Sequence, residues 1–260
     1  MSQTITPSQT QNSLAPNVIT DITPEGNWFS DFSQETLAMT KRLFIQLQRR
    51  PSTLIAGIIV FTAFSGALNA GLPVMFDREF GFLNRLLVAP LASRYSIVAA
   101  STLYIISLSI IQTAVIVGAS AMLGGGLPGL AGLGAIALIV FLIVAGVTGL
   151  SLGLAFALPG HIELIAVIFV TNLPLLFAST ALAPLSFMAG WLQVVASLNP
   201  LTYAIEPIRY IYLNGQWSLG SIVLETPWLD INFLGVLLLL VGFDALILLT
   251  IQPLLRRRFA

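Results

Sequence analysis

The run YSIVAASTLYIISLSIIQTAVIVGASAMLGGGLPGLAGLGAIALIVFLIVAGVTGLSLGLAFALPG, from Tyr95 to Gly160, holds no Asp, Glu, Lys, Arg or His. An α-helix crosses a hydrocarbon core of roughly 30 Å with about 20 apolar residues, so the run has room for two crossings. Gly124 to Gly129 supplies the break between them. Backbone groups in hydrocarbon must be bonded within their own segment, and these runs are far longer than a barrel strand of about 10 residues. Helices are therefore predicted, and with them an integral membrane protein.

Outward from that run the pattern repeats. Apolar spans are predicted at Ser52–Phe76, Ser96–Leu123, Ala131–Leu158, Ile162–Met188 and Asn232–Gln252. Residues 51–260 thus read as an all-α polytopic transmembrane helix bundle with five candidate spans. Only 8% of the 260 residues are charged and 57% are hydrophobic, against roughly 25% charged in a soluble domain. Gly146, Gly149 and Gly153 have the spacing that lets helices approach closely. Residues 1–30, rich in Ser, Thr, Gln, Asn and Pro, read as a disordered polar tail. No basic start leads into an apolar core there, so they are not read as a signal peptide. Over residues 31–50, Met39, Leu43 and Leu47 recur four apart, with Lys41, Arg42, Arg49 and Arg50 between and after them. That pattern reads as an amphipathic interfacial helix lying along the membrane surface, with a solvated helix bearing a charged face as the lesser alternative.

Charge placement sets the orientation. Ten of the eleven Lys and Arg residues fall at Lys41–Arg50, Arg78–Arg94 and Arg256–Arg258, with Arg209 apart. The positive-inside rule puts all three clusters, and so the C-terminus, on the cytoplasmic side of the plasma (inner) membrane. Four spans separate the second cluster from the third, as required. Only Ser52–Phe76 separates the first from the second, and its 25 residues cannot cross twice at about 20 residues each. Either that run is re-entrant, or the amphipathic helix sits outside, or a span is missing. Residues 189–231 form the long outer connection, whose Trp191, Tyr203, Tyr210, Tyr212 and Trp217 suit short helices dipping into the interface or a plain aromatic belt. Glu206 and Arg209, three apart, could pair on one helix face or be solvated.

Candidate chemistry is sparse. Zero net charge offers no reason to expect a nucleic-acid partner. The absence of Cys excludes disulfides and thiolate sites, and a lone His161 cannot supply the three ligands of a hydrolytic zinc. No catalytic, cofactor-binding or metal residue is assigned. The costly polar residues of the spans are Asn69, Gln112, His161, Glu163, Asn172 and Asp244. Asp244 is the sharpest, because a mid-span carboxylate costs roughly 2.5 to 3.5 kcal/mol on insertion scales. Asp244, Asn172 and Gln112 form a candidate intramembrane polar site, for which a substrate contact, a proton relay and a structural hydrogen bond all fit.

Three segments resemble the permease subunits of type 2 ABC exporters. They are Lys41-Arg42 through Arg49-Arg50-Pro51-Ser52, Asp77-Arg78-Glu79-Phe80-Gly81 through Leu86-Leu87-Val88-Ala89-Pro90-Leu91, and Leu198-Asn199-Pro200-Leu201-Thr202-Tyr203 with Arg209. They are similar, in order, to the family's surface helix entering its first span, its cytoplasmic coupling segment and its outer segment before the last span. The resemblance implies six spans, so this chain departs at the front, where Ile58-Ile59 joins the start of the first span to the second. It implies export of a hydrophobic or amphiphilic substrate (drug, lipid or polysaccharide) by a homodimer or heterodimer of permease subunits in the bilayer. ATP and Mg would belong to a separate ABC ATPase subunit, since this chain has no phosphate-binding loop ending in Gly-Lys-Ser or Gly-Lys-Thr, and none of its residues is assigned a cofactor.

Within residues 77–94 the resemblance implies that Asp77, Arg78, Glu79, Phe80, Arg85 and Leu86 face that ATPase; a charged turn that only sets topology also fits. In the outer segment it singles out Asn199, Pro200, Tyr203 and Arg209, to which spacing alone adds Glu206 as a candidate partner of Arg209. An ATP-independent channel or secondary carrier, favoured by paired broken helices, and an intramembrane enzyme are the alternatives. Pro174 breaks one span without a matching partner, and no clustered His, Asp, Glu or Ser constellation is visible.

Overall fold

The computed structural model describes residue 37, residues 51–82 and residues 95–259, with side chains from 54 to 82 and from 99 to 252. The expected tail over residues 1–30, nearly all of the expected helix over 31–50, and residues 83–94 with Arg85 and Leu86 lie outside the described residues.

Helix α1 (Pro51–Leu68) and helix α2 (Gly71–Glu79) make up the first crossing, with a turn at Asn69–Ala70 between them. One uninterrupted run was predicted, and the break has a cause on the neighbouring helix. A helix that stops leaves backbone groups without partners, and here the buried Ser151 hydroxyl takes up two of them. It accepts from the Gly71 amide (2.9 Å) and donates to the Leu68 carbonyl (2.6 Å).

Helix α3 (Tyr95–Met122) runs back, helix α4 (Leu130–Ala157) returns, and helix α5 (His161–Phe177) reverses again. A short 3-10 turn (Leu185–Phe187), helix α6 (Gly190–Leu198), helix α7 (Pro200–Asn214) and a hairpin of β1 (Ile222–Glu225) and β2 (Asp230–Asn232) precede helix α8 (Phe233–Phe259). The bundle is built on α4, which packs against α1, α2, α3, α7 and α8. Ile136, Ile139 and Ile143 are fully buried on it. Along α4 the partners of the first crossing advance in order. Ile55 lies beside Gly125 just before α4, Gly71 meets Ser151, and Arg78 reaches Ala155 and Leu158. The first crossing is therefore a single pass parallel to α4, which rules out the re-entrant alternative.

The seam between α4 and α8 bears out the reading of the glycines. Gly146, Gly149 and Gly153 face Asp244, Ile247 and Ile251 in the same order, so the two helices run parallel at close range. A Cβ at Gly153 would stand 2.7 Å from Ile251 Cγ1, and one at Gly149 would stand 3.4 Å from Ile247 Cγ2.

Two expectations change. Among the described residues four helical stretches are long and apolar enough to cross a membrane, with α1 and α2 counted together, and the fourth predicted span is the shorter α5, which ends at Phe177 instead of Met188. At 1.5 Å per residue its 17 residues reach about 26 Å. It stops there because Asn199 Nδ2 donates to the carbonyls of Leu175 (2.7 Å) and Ala178 (2.9 Å), taking over the end of the helix from outside. The outer connection does not simply dip into an interface either. Leu201, Ala204, Ile205, Ile208 and Ile211 of α7 are buried against α1, α4 and α8, so α7 is part of the core.

Candidate functional site

Where α2, α4 and α5 meet, side chains of opposite charge close on one turn. Arg78 Nη1 donates to the Ala155 carbonyl, and Nη2 donates to the carbonyls of Leu158 and Pro159, each at 2.7 Å. Glu79 Oε1 accepts from the His161 backbone N–H (2.7 Å), and Oε2 lies 2.5 Å from His161 Nδ1. The Phe76 ring packs on the imidazole with centroids 5.2 Å apart. Asp77 is half-buried, whereas Phe80 is 81% exposed and Phe82 51% exposed. Of the residues expected to face a partner, Arg78 and Glu79 are thus engaged with their own chain and Phe80 points outward. From the sequence His161 stood only among the polar residues of the spans and as an insufficient zinc ligand; its place as Glu79's partner depends on a contact between residues 82 positions apart.

At the other end the outer-segment residues converge. Asn199 Oδ1 accepts from the Leu201 amide (3.0 Å), capping α7, and Pro200 opens the helix at a position that needs no N–H. Tyr203 donates to the Ser197 carbonyl (2.6 Å), and burial pushes its phenol above the ordinary tyrosine range, keeping it a neutral donor. Arg209 pairs with Glu206 and donates to the Thr180 carbonyl. Their side chains are only 4% and 12% exposed, so the pair is buried and the solvated alternative fails. Beside Glu206 a cavity of about 380 Å³ opens between α6, α7 and β1, with Gln193, Tyr210 and Glu225 on its wall.

The intramembrane trio is not brought together. Asn172 on α5 accepts from Ser65 on α1 (3.4 Å), and Gln112 sits half-buried on α3. Asp244 lies on the α8 seam against Gly146, its Oδ1 buried without a hydrogen-bond partner. No hydrogen bond links the three among the described residues. No group of three or more His, Cys, Asp or Glu side chains that could hold a metal occurs among the described residues either.

Comparison with known proteins follows the same lines. The family described as ABC-2 type transporter matches residues 26–213. The protein named "Putative transport permease ycf38" in Porphyra purpurea is 47% identical over 261 positions, covering 86% of this chain and 90% of that protein. Its namesake in Cyanophora paradoxa is 46% identical over 264 positions, covering 88% and 91%. For the first, 86% of 260 residues is about 224, which is about 37 fewer than the 261 aligned positions. The relative therefore has some 37 positions inside the match at which this chain has none. No solved structure matches the chain. With nearly three quarters of its length matched, an apolar helical bundle and relatives close to half identical, this integral membrane protein belongs to the ABC-2 type transporter family as a transport permease.

Proposed function

We propose that the chain is the membrane subunit of an ATP-driven exporter of a hydrophobic or amphiphilic substrate, energised by a separate ABC ATPase. It works as a dimer of permease subunits in the plasma (inner) membrane, with its C-terminus cytoplasmic. The observation that carries this reading is the end of α2, where the anchored Arg78–Glu79 corner presents the exposed rings of Phe80 and Phe82. Apolar side chains offered from a charged, immobilised corner suit a protein partner. An ATPase subunit is expected to co-purify with the tagged chain in mild detergent, and Phe80→Asp should reduce its recovery about tenfold or more, as loss of an interface anchor does. Recovery of the chain without any ATPase would sink the proposal.

The same reading accounts for the orphaned first cluster of charge. Some 37 additional residues suffice for one more crossing of about 20 residues and a loop, and one more crossing would return Arg49 and Arg50 to the side of Arg78. We place the gap at Ile58-Ile59, so that in this chain the segment before Pro51 lies outside. In this naturally cysteine-free chain, single cysteines at Ser33 and Asn214 should react with an impermeant maleimide in intact cells. Cysteines at Ser93 and Ala260 should react only after permeabilisation. Protection of Ser33 would overturn the assignment.

A further inference from the structure

We infer that Arg78 and Glu79 form a rigid two-armed joint that carries movement at the end of α2 into the α4–α5 turn as one body, an inference that rests on the permease reading above.

Beyond the Leu158 amide, which donates to the Leu154 carbonyl, the turn has no cap of its own. Helix α4 ends at Ala157, followed by an extended Leu158 and by Pro159, which has no N–H to donate back to the last carbonyls. Helix α5 begins after Gly160 with no side-chain cap. Two adjacent residues of α2 supply both missing caps. The Arg78 guanidinium spans three carbonyls at the C-terminal end of α4, where the helix dipole is negative. The Glu79 carboxylate takes the first amide of α5, where the dipole is positive. Each charge stands at the helix end that favours it, and charged hydrogen bonds of this kind are shorter and stronger than neutral ones.

The joint has little freedom to rotate. Five polar contacts of 2.5 to 2.7 Å and the Phe76 ring on His161 approach the turn from different directions. Helix α2 is also tied to α4 at its other end, through Ser151. Its nine residues, about 14 Å long, are therefore pinned at both ends to the central helix. A push delivered beside Phe80 reaches α4, and α4 packs on α7 and α8, which lead to the far end of the bundle.

The test uses membranes containing the full chain and its co-purifying ATPase, with one cysteine at Ser186 reporting on the far end. The probe is the rate of maleimide labelling with ATP and vanadate against the rate without nucleotide. In the otherwise unaltered chain the two rates should differ about fivefold or more, the usual scale of coupling between sites. Arg78→Gln with Glu79→Gln, compared with the parent at matched amounts of bound ATPase, should bring the ratio to about one, the value for uncoupled sites. A ratio that stays at the parent value refutes the joint. Failure of the parent chain to recover an ATPase defeats the permease reading instead, and the joint's role with it. Should the double variant not yield monodisperse protein, Glu79→Gln alone, which keeps the Arg78 arm on the end of α4, is read with the same Ser186 probe. A ratio that falls toward one supports the joint, and a ratio that stays at the parent value overturns it.

Discussion

Arg209→Ala is expected to lower stability by about 3 to 5 kcal/mol, the cost of leaving one member of a buried ion pair without the other. Arg209 is 3% exposed on α7, paired with Glu206 and donating to the Thr180 carbonyl in the loop after α5. Removing it strands the Glu206 carboxylate, 12% exposed, and leaves that carbonyl without its donor. The thermal midpoint in detergent, followed by the loss of the monodisperse peak on size exclusion, measures the effect. Replacing both partners, as Glu206→Gln with Arg209→Met, should recover much of the loss, because the penalty comes from the unpaired charge rather than from the absence of the pair. An Arg209→Ala variant that melts with the parent would show that the pair is not buried in the protein.

Gly71→Val is the second large effect. A Cβ at residue 71 collides with the Ser151 backbone oxygen, and its Oγ lies 2.9 Å from the same point. A backbone atom cannot rotate away, so relief requires α2 to move off α4. The cost should reach about 3 kcal/mol, the upper part of the range for overpacking. The hydrogen bonds through Ser151 to Gly71 and Leu68 would be lost with it. Gly66→Val, one turn earlier in the same crossing, meets nothing within 4 Å and serves as the control. Similar melting of the two valine variants would contradict the close approach of α2 to α4.

Much of the bundle was legible because hydropathy acts locally. The third span was expected at Ala131–Leu158 and α4 runs from Leu130 to Ala157; the second was expected at Ser96–Leu123 and α3 runs from Tyr95 to Met122. The glycines at 146, 149 and 153 announced a close seam but could not say that α8 would fill it. The failures share one feature. The break in the first crossing, the early end of α5 and the burial of α7 each depend on a side chain from elsewhere, Ser151 in the first case and Asn199 in the second. The hairpin of β1 and β2 was not foreseen, since its seven residues include only a short apolar stretch, Ile222 to Leu224.

The outer motif shows both sides of this. Asn199-Pro200 is a helix start that residue types alone describe, because a capping amide and a residue without an N–H suit the first turn of α7. That the same Asn199 also ends α5 could not be read from spacing, nor could Arg209 reaching Thr180 across 29 positions. Charge counting showed only that a single apolar run separates the first positive cluster from the second, which left three explanations open, and the ordered contacts along α4 excluded the re-entrant one.

By itself, then, the sequence determined that the chain lives in a bilayer, where the second and third of its apolar helices begin and end, and how its positive charge is distributed, because transfer from water to hydrocarbon depends on each residue's own chemistry. Only the tertiary structure decided which polar groups meet: Arg78 and Glu79 with the α4–α5 turn, Arg209 with Glu206 and Thr180, and Asp244 with Gly146. Those pairings require two distant segments to be packed at a particular depth and rotation, which the hydropathy of either segment leaves open.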